Sequence, residues 1–271
     1  AEIFAEEIGQ HTTSAVAAAI WFPYDAEPAD AVIRWSLEAF EVLRGLSRNP
    51  SSGVSMIELR CFSRLGELPI PDWAHPLGAR PIENGFALDV PLTDTTLYLN
   101  YLANRFRKSG GKISSSVHFN HIDEINADYS LVVNCSGAGA QTLVPDPDVE
   151  PHRGQVVLVE KLSQHHAVVC DDPPLMYAIP RANDCVFGGS NDISANRDPD
   201  PGLTSSIVAE CSRVLHIAPP KILSERVGLR PFRRSGICLR RDGRVIHNYG
   251  HGGSGFTLSW GCARAVLALA S

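Results

Sequence analysis

The sequence predicts an α/β protein in which a Rossmann-like α/β part, built from separated segments, is interleaved with a β-rich part made mainly of antiparallel sheet. Three observations carry this. Strand signals rich in Val and Ile alternate with helix signals along most of the chain. Between Gly154 and Ser190 the pattern changes to closely spaced short strands, which read as antiparallel sheet. Near the end, His247 to Gly261 (HNYGHGGSGFTLSWG) holds five glycines in fifteen residues, between a strand-like and a helix-like stretch. A glycine-rich turn at that junction lets backbone N–H groups approach a ligand and aims the positive end of a helix dipole at it. The plainer reading is a tight structural turn.

Bulk properties narrow the class. The 271 residues, 44% hydrophobic, suffice for a sizeable core. A net charge of -6 without a Lys/Arg block argues against a nucleic-acid partner. Apolar runs such as Ala15 to Phe22 are too short for a membrane span, and Ala1 to Glu7 lack the basic end and apolar stretch of a signal peptide. A cytoplasmic protein with no membrane partner is therefore expected. Seven cysteines without a CxxC spacing fit reduced thiols. No metal site is expected, because His118 and His121, and the His165-His166 pair, lack partner ligands at a recognisable spacing.

The elements follow in order. Ile3-Phe4-Ala5-Glu6 reads as a short strand ending in an acid. Asp30 is placed as the cap of a helix over Ala31 to Leu46, with Ile33, Leu37 and Phe40 on one face. Val54 to Phe62 alternates as a strand does, and Asp94 caps a helix through Arg107 that turns Leu99, Leu102 and Phe106 inward and ends at Gly110-Gly111. Lys112 to Phe119 reads as a strand, and Tyr129 to Cys135 as a buried one. Short strands are expected at Gln155 to Glu160, Ala167 to Cys170, Met176 to Ile179 and Cys185 to Phe187. A helix over Ser205 to Leu215, a strand at Gly243 to Ile246 and a helix over Cys262 to Leu269 complete the chain.

Several segments carry chemistry. Leu131 to Leu143 (LVVNCSGAGAQTL) runs from strand through a small-residue turn into helix, and Gly137 with Gly139 gives only part of a GxGxxG pattern, since Thr142 stands at the third glycine. It reads as a second turn where backbone approaches the ligand of the glycine run, or as packing alone. In His11 to Tyr24 (HTTSAVAAAIWFPY), Thr12, Thr13 and Ser14 offer hydroxyls to phosphate or ring oxygens beside small alanines, or cap a helix. Glu6 stands where a Rossmann acid bonds ribose hydroxyls, or is a surface glutamate. Arg230, in ERVGLRPFRR, has the planar fork that holds a carboxylate in two parallel bonds, or pairs with a surface acid.

Taken in order, Tyr177-Ala178-Ile179-Pro180, Phe187-Gly188-Gly189, Gly228-Leu229-Arg230-Pro231 and His247-Asn248-Tyr249-Gly250-His251-Gly252-Gly253 resemble the D-amino acid oxidase family of FAD enzymes. The similarity extends from Thr12-Thr13-Ser14 through Asn134-Cys135-Ser136-Gly137 and Arg153-Gly154-Gln155 to Trp260-Gly261-Cys262. It implies non-covalent FAD in a domain of segments 1–19, 94–146 and 229–271, and a substrate domain of 20–93 and 147–228. The FAD contacts it implies are Glu6, Thr12, Thr13, Ser14, Ala18, Ala19, Val117, Ser136, Gly137, Gly252, Gly253, Ser254, Gly255, Phe256 and Thr257.

It further implies a D-amino acid substrate whose carboxylate docks on Arg230 and Tyr177 and whose amine faces the Gly253 carbonyl, with dioxygen as acceptor and 2-oxo acid, ammonia and hydrogen peroxide as products. His247 and His251 are then structural or flavin-facing, and a homodimer is an allowed assembly. An amine oxidase acting on glycine or sarcosine, and a non-catalytic binding module, are the alternatives. The sequence departs from the family's pattern in places. No GxGxxG precedes Glu6, so a strand, turn and helix of about thirty residues is expected either ahead of Ala1 in the full protein or missing from it. Asp172-Pro173-Pro174-Leu175 stands where vertebrate members carry a further tyrosine, and Phe22 and Ser254 also differ, which leaves the preferred substrate side chain open.

Overall fold

The computed structural model describes residues 1–23 and 26–271; Tyr24, the last residue of the hydroxyl- and alanine-rich stretch, and Asp25 lie outside the described residues. The elements are β1 (Glu2–Ala5), α1 (Thr13–Val16), α2 (Ala29–Leu46), β2 (Val54–Phe62), β3 (Arg80–Ile82), β4 (Gly85–Thr93), α3 (Thr95–Lys108), β5 (Lys112–Ser115), β6 (Val132–Asn134) and α4 (Ala140–Leu143). They continue as β7 (Val149–Glu160), β8 (His166–Cys170), β9 (Met176–Pro180), β10 (Asp184–Gly188), β11 (Asp192–Ile193), α5 (Pro201–Leu215), β12 (Ile222–Arg233), β13 (Cys238–Asp242), β14 (Val245–Tyr249) and α6 (Gly255–Ala270).

The strands form a parallel pair β1–β5, a three-stranded sheet β13-β14-β6, and a nine-stranded sheet in the order β11-β7-β10-β9-β8-β2-β4-β3, with β12 paired along β7. Within the large sheet β2 and β8 pair in parallel and the other described pairs are antiparallel. The mixture of parallel and antiparallel sheet is the α/β architecture expected from sequence. Because β12 pairs with β7 over nearly its whole length, β10 and β11 share β7's other edge.

Alternation along β7 divides the core into two layers. Val156 and Leu158 point to the side where Trp21, Phe40, Leu43 and Phe86 pack, while Val157 and Val159 point to the side closed by Ile207, Val208 and Cys211 of α5. Among the described residues no helix is long and apolar enough to cross a membrane.

The structure corrects several element boundaries. Helix α2 begins at Ala29 behind Pro28, so Asp30 lies in its first turn rather than at its cap; Glu27 Oε2 accepts the Ala29 amide instead (2.7 Å). Its buried residues are Val32, Trp35, Ser36, Ala39, Phe40 and Leu43, with Ile33 and Leu37 only partly covered, because the helix packs on α6 as well as on the sheet. In α3, Asp94 does cap, accepting from the Thr96 and Leu97 amides, but Tyr98 is the deeply buried side chain and Leu99, Leu102 and Phe106 are half-buried. The strand expected over Lys112 to Phe119 stops at Ser115, since Ser116 turns to φ +59°. Tyr129 to Cys135 is strand only over Val132–Asn134, and Val133 is 42% exposed at the margin of a small sheet. Asp200 starts α5 at Pro201, four residues before Ser205. The strand placed at Gly243 to Ile246 runs instead over Val245–Tyr249, with Gly243 in the hairpin turn at φ +57°. The last helix begins at Gly255 rather than Cys262, so the glycine run comprises the end of β14, a turn from Gly250 to Ser254 and the first turns of the helix.

Helix α6 is held on α2 at close range. A Cβ added at Gly261 would lie 2.3 Å from the Trp35 carbonyl oxygen and 2.4 Å from its Cα. Alanine is the better helix former by roughly 0.5–1 kcal/mol, but the backbone contact outweighs that preference. Gly261→Ala is expected to destabilise the protein by about 1–3 kcal/mol, read as a lower urea midpoint. An unchanged midpoint would contradict the packing.

Candidate functional site

Two long side chains lie flat on the large sheet, each over a glycine of a neighbouring strand. Arg230 reaches from β12 across β7 at Gly154, where an added Cβ would be 2.5 Å from Cζ and from both terminal nitrogens. Beyond Gly154 its Nη1 donates to the Ser190 carbonyl (2.8 Å) and to Asn191 Oδ1 (3.3 Å). Tyr177, on β9, lies over Gly188 of β10 in the same way, with a Cβ there 2.0 Å from Cζ and 2.4 Å from the hydroxyl. Burial pushes the Tyr177 phenol up from its ordinary value, and the Arg230 guanidinium beside it pulls the other way. The sheet thus brings together the two residues expected to bind substrate, and a planar cation with a phenol beside it is a donor set for a carboxylate.

The glycine run lies along the outer edge of β12. The Gly252 amide donates to the Pro231 carbonyl (2.9 Å), and His251 pairs with Phe232 in an isolated bridge. Gly250 at φ +86° and Gly252 at φ +52° make the turn, and a Cβ at Gly250 would be 2.8 Å from Arg233 Cβ. Gly253 is exposed, Ser254 is buried, and Gly255 opens α6 with nothing within 4 Å of its would-be Cβ. Phe256 packs on the cluster that also holds Tyr177, Ala18 and Phe22. The Thr257 hydroxyl accepts from the Phe22 amide (3.1 Å) and donates to the Phe22 carbonyl (3.0 Å), so that side chain fastens the helix to the 16–22 segment.

That segment is itself constrained. Ala19 sits at φ +55°, a conformation costing a non-glycine residue on the order of 1–2 kcal/mol. It is held there because the Thr93 amide donates to its carbonyl (3.0 Å) and the Trp21 amide to that of Pro91 (2.8 Å). In α1, Thr13 packs near Gly228, Ser14 is exposed, and the Thr12 hydroxyl turns back onto the Gly9 carbonyl (2.8 Å). Ser136 Oγ is buried without a hydrogen-bond partner among the described residues, and Gly137, at φ +59°, lies against Pro231.

Glu6 and Val117 stand apart from this group, at the carboxyl ends of β1 and β5. Glu6 is an exposed side chain paired with His118 (3.2 Å), and the Val117 amide donates to the Ala5 carbonyl (3.2 Å). The pair is anchored at its other end by Glu2, which binds Lys112, Ser114 and Tyr129. The hydrogen bond from Lys112, with those from Ser114 and Tyr129, brings the Glu2 carboxyl down to about 2. Its contribution is present above the ordinary carboxylate range and is lost as pH falls towards 2.

His247 is buried against Asn134 (3.3 Å), and His251 contacts Asn248 Oδ1 (3.1 Å). Burial brings the His251 imidazole down to about 4, so it is neutral near pH 7. Sequence reasoning gave no role to Gly154, Gly188 or Ser190; the available signal was glycine inside a strand, which marks close approach of another group.

The chain matches the family model described as FAD dependent oxidoreductase (DAO) over residues 73–269. It is 37% identical over 293 residues to the D-amino-acid oxidase of Rubrobacter xylanophilus, covering 99% of this chain and 87% of that protein. It is 35% identical to the D-amino-acid oxidase of Streptomyces coelicolor, with 99% and 88% covered. In fold it is similar to the glycine oxidase of Geobacillus kaustophilus, with a TM-score of 0.76, 15% identity, and 99% and 87% of the two chains covered.

Gly188→Ala should force the Tyr177 ring off the sheet while leaving Arg230 in place. A planar carboxylate such as benzoate is then expected to bind about tenfold more weakly by calorimetry, a change of roughly 1.4 kcal/mol. Gly45→Ala, where a Cβ meets nothing within 4 Å, is the control that should leave binding unchanged. Equal binding by Gly188→Ala and the parent would show that the ring's position does not matter.

Proposed function

The chain belongs to the DAO family of FAD-dependent oxidoreductases, and we propose that it oxidises D-amino acids to 2-oxo acids, releasing ammonia and hydrogen peroxide. The observation that carries the reading is the Arg230–Tyr177 pair lying flat beside the glycine turn. In this reading segments 1–19, 94–146 and 229–271 hold the cofactor, and 20–93 and 147–228 shape the substrate side.

The residues present fit FAD. The turn from Gly252 into α6 offers bare backbone at the amino end of a 16-residue helix, a favourable place for electron-rich ring or phosphate oxygens. Ser136 Oγ is a buried hydroxyl without a hydrogen-bond partner among the described residues. Ala18, Ala19 and Gly137 bring small side chains or none, Thr12, Thr13 and Ser14 bring hydroxyls, and Glu6 brings an acid at the end of a parallel strand, with Val117 beside it. FAD, when bound, supplies the two-electron acceptor that takes the α-hydrogen with its electron pair and passes the electrons to dioxygen.

The side chains bind and orient. Nη1 of Arg230 is committed to Ser190 and Asn191, which fixes the plane of the fork for the substrate's α-carboxylate. Tyr177 donates a further hydrogen bond to the same carboxylate, and the Gly253 carbonyl accepts from the amine. With carboxylate and amine both held, the α-carbon has one orientation, and alignment of this kind supplies much of an enzyme's rate advantage. The imino acid that leaves is hydrolysed by water. No histidine acts as acid or base in this scheme.

Each hydrogen bond to a charged group contributes about 1.5–3 kcal/mol, so loss of two in Arg230→Ala should cost roughly 3–6 kcal/mol. That is about a 10²- to 10⁴-fold fall in kcat/KM with D-alanine, measured by oxygen consumption. Arg230→Lys should recover only part, since an ammonium lacks the two-point fork. Tyr177→Phe, which removes one bond to the same charged carboxylate, should cost about 1.5–3 kcal/mol. Flavin-loaded Arg230→Ala that oxidises D-alanine within a few-fold of the parent would contradict the assignment and favour an amine without a carboxylate, a case that sarcosine methyl ester in the substrate panel would expose.

A further inference from the structure

On the face of β7 opposite Arg230 lies a buried polar network that substrate binding does not use. Gln155 is fully buried, yet both ends of its side chain and its amide are satisfied. Its backbone amide donates to Ser190 Oγ (2.9 Å), and its Nε2 donates to Thr204 Oγ1 (2.8 Å) and the Asp200 carbonyl (2.9 Å). Its Oε1 accepts from Arg153 Nη2 (2.7 Å) and the Asp200 amide (2.9 Å). Arg153, 6% exposed, donates in addition to the carbonyls of Asn196 (3.1 Å) and Asp198 (2.7 Å).

Apart from the Arg153–Gln155 bond within β7, every contact of this network lands on the connection from Ser190 to Asp200 or on α5 behind it. The connection is therefore fastened to β7 at its start, through Ser190, and at its end, through Asp200. A sheet layer at this position could be apolar, as it is at Val157 and Val159, so the polar network is present for the position it enforces. The atom whose position bears on the other face is the Ser190 carbonyl, the acceptor for Arg230 Nη1.

We propose that Ser190 and Gln155 are positioning residues that set the plane of the Arg230 guanidinium: the Gln155 backbone amide holds the Ser190 hydroxyl directly, and the Gln155 side chain, with Arg153 and Thr204, holds the far end of the same connection at Asp200, an inference that rests on the reading of Arg230 as the carboxylate clamp. Through the backbone of β7, the strand carries the network on one face and the bare floor for the guanidinium, Gly154, on the other. The sequence Arg153-Gly154-Gln155 is then one device: two buried anchors below and a space above.

The test is a double-mutant cycle on the flavin-loaded protein, with D-alanine as substrate and benzoate as the carboxylate probe. Ser190→Ala removes the hydroxyl that accepts from the Gln155 backbone amide, and Gln155→Met removes the side-chain amide that holds Asp200 and Thr204, at similar volume. Each is expected to raise KM for D-alanine and the benzoate Kd in parallel, by about 3- to 30-fold, within the range for coupled neighbours, with kcat within about twofold. In an Arg230→Ala background the same substitutions should change neither quantity by more than about twofold. Equal factors in both backgrounds, or a fall in kcat with KM and benzoate Kd unchanged, would overturn the proposal and leave the network a purely structural one. If Gln155→Met fails to hold flavin, Ser190→Ala decides alone. Arg230→Ala by itself reports separately on the clamp: unchanged benzoate binding in that single variant would refute the clamp, whatever the anchors do.

Discussion

A side chain can lie flat across a neighbouring β-strand only where that strand has no side chain of its own, and this constraint organises the site. Strands are about 4.8 Å apart, so an arginine or tyrosine that crosses one passes directly over its backbone. Gly154 and Gly188 leave that space under Arg230 and Tyr177. With β7 and β10 adjacent, the two crossings put a guanidinium and a phenol side by side on one floor. The glycine turn along the free edge of β12 then completes one wall with backbone alone.

The same sheet is the main element of the core, which ties the site to stability. Its two faces carry separate apolar clusters, and β7 contributes to both. Helix α5 closes one cluster through Ile207, Val208 and Cys211 and, from the same turns, presents Thr204 to Gln155. Helix α6 is packed against α2 at Gly261 and is fastened to Phe22 by Thr257, so the start of the helix cannot move without disturbing both. Strain is held where these pieces meet the site, at Ala19, and is offset by the ladder bonds to β4 on either side.

Much of this was legible in the sequence wherever the signal was local. Val54–Phe62 is a strand by its alternation, Asp94 caps α3, and the antiparallel run of short strands follows from turn residues and β-branched content. Arg230 and Tyr177 were singled out by motif. What stayed hidden was whatever depends on distant partners. Nothing near Ser116 announces its positive φ, and Pro28 displaces Asp30 as the helix start because Glu27 takes the first amide. Gly154 and Gly188 look like any strand glycines until the residues that cover them, 76 and 11 positions away, are placed above them. Gln155 reads as a polar residue in a strand, and its role emerges only from partners on α5 and the preceding connection.

Arg230 and Tyr177 are proposed to form one flat carboxylate clamp on a floor of bare backbone. A crystal structure of the flavin-loaded protein with benzoate tests it most directly. The account requires both carboxylate oxygens in hydrogen-bond contact with the clamp, about 2.7–2.9 Å from guanidinium nitrogens, with the phenol oxygen also in reach and Nη1 still on the Ser190 carbonyl. A carboxylate held elsewhere, with Arg230 swung away from Gly154, would contradict it.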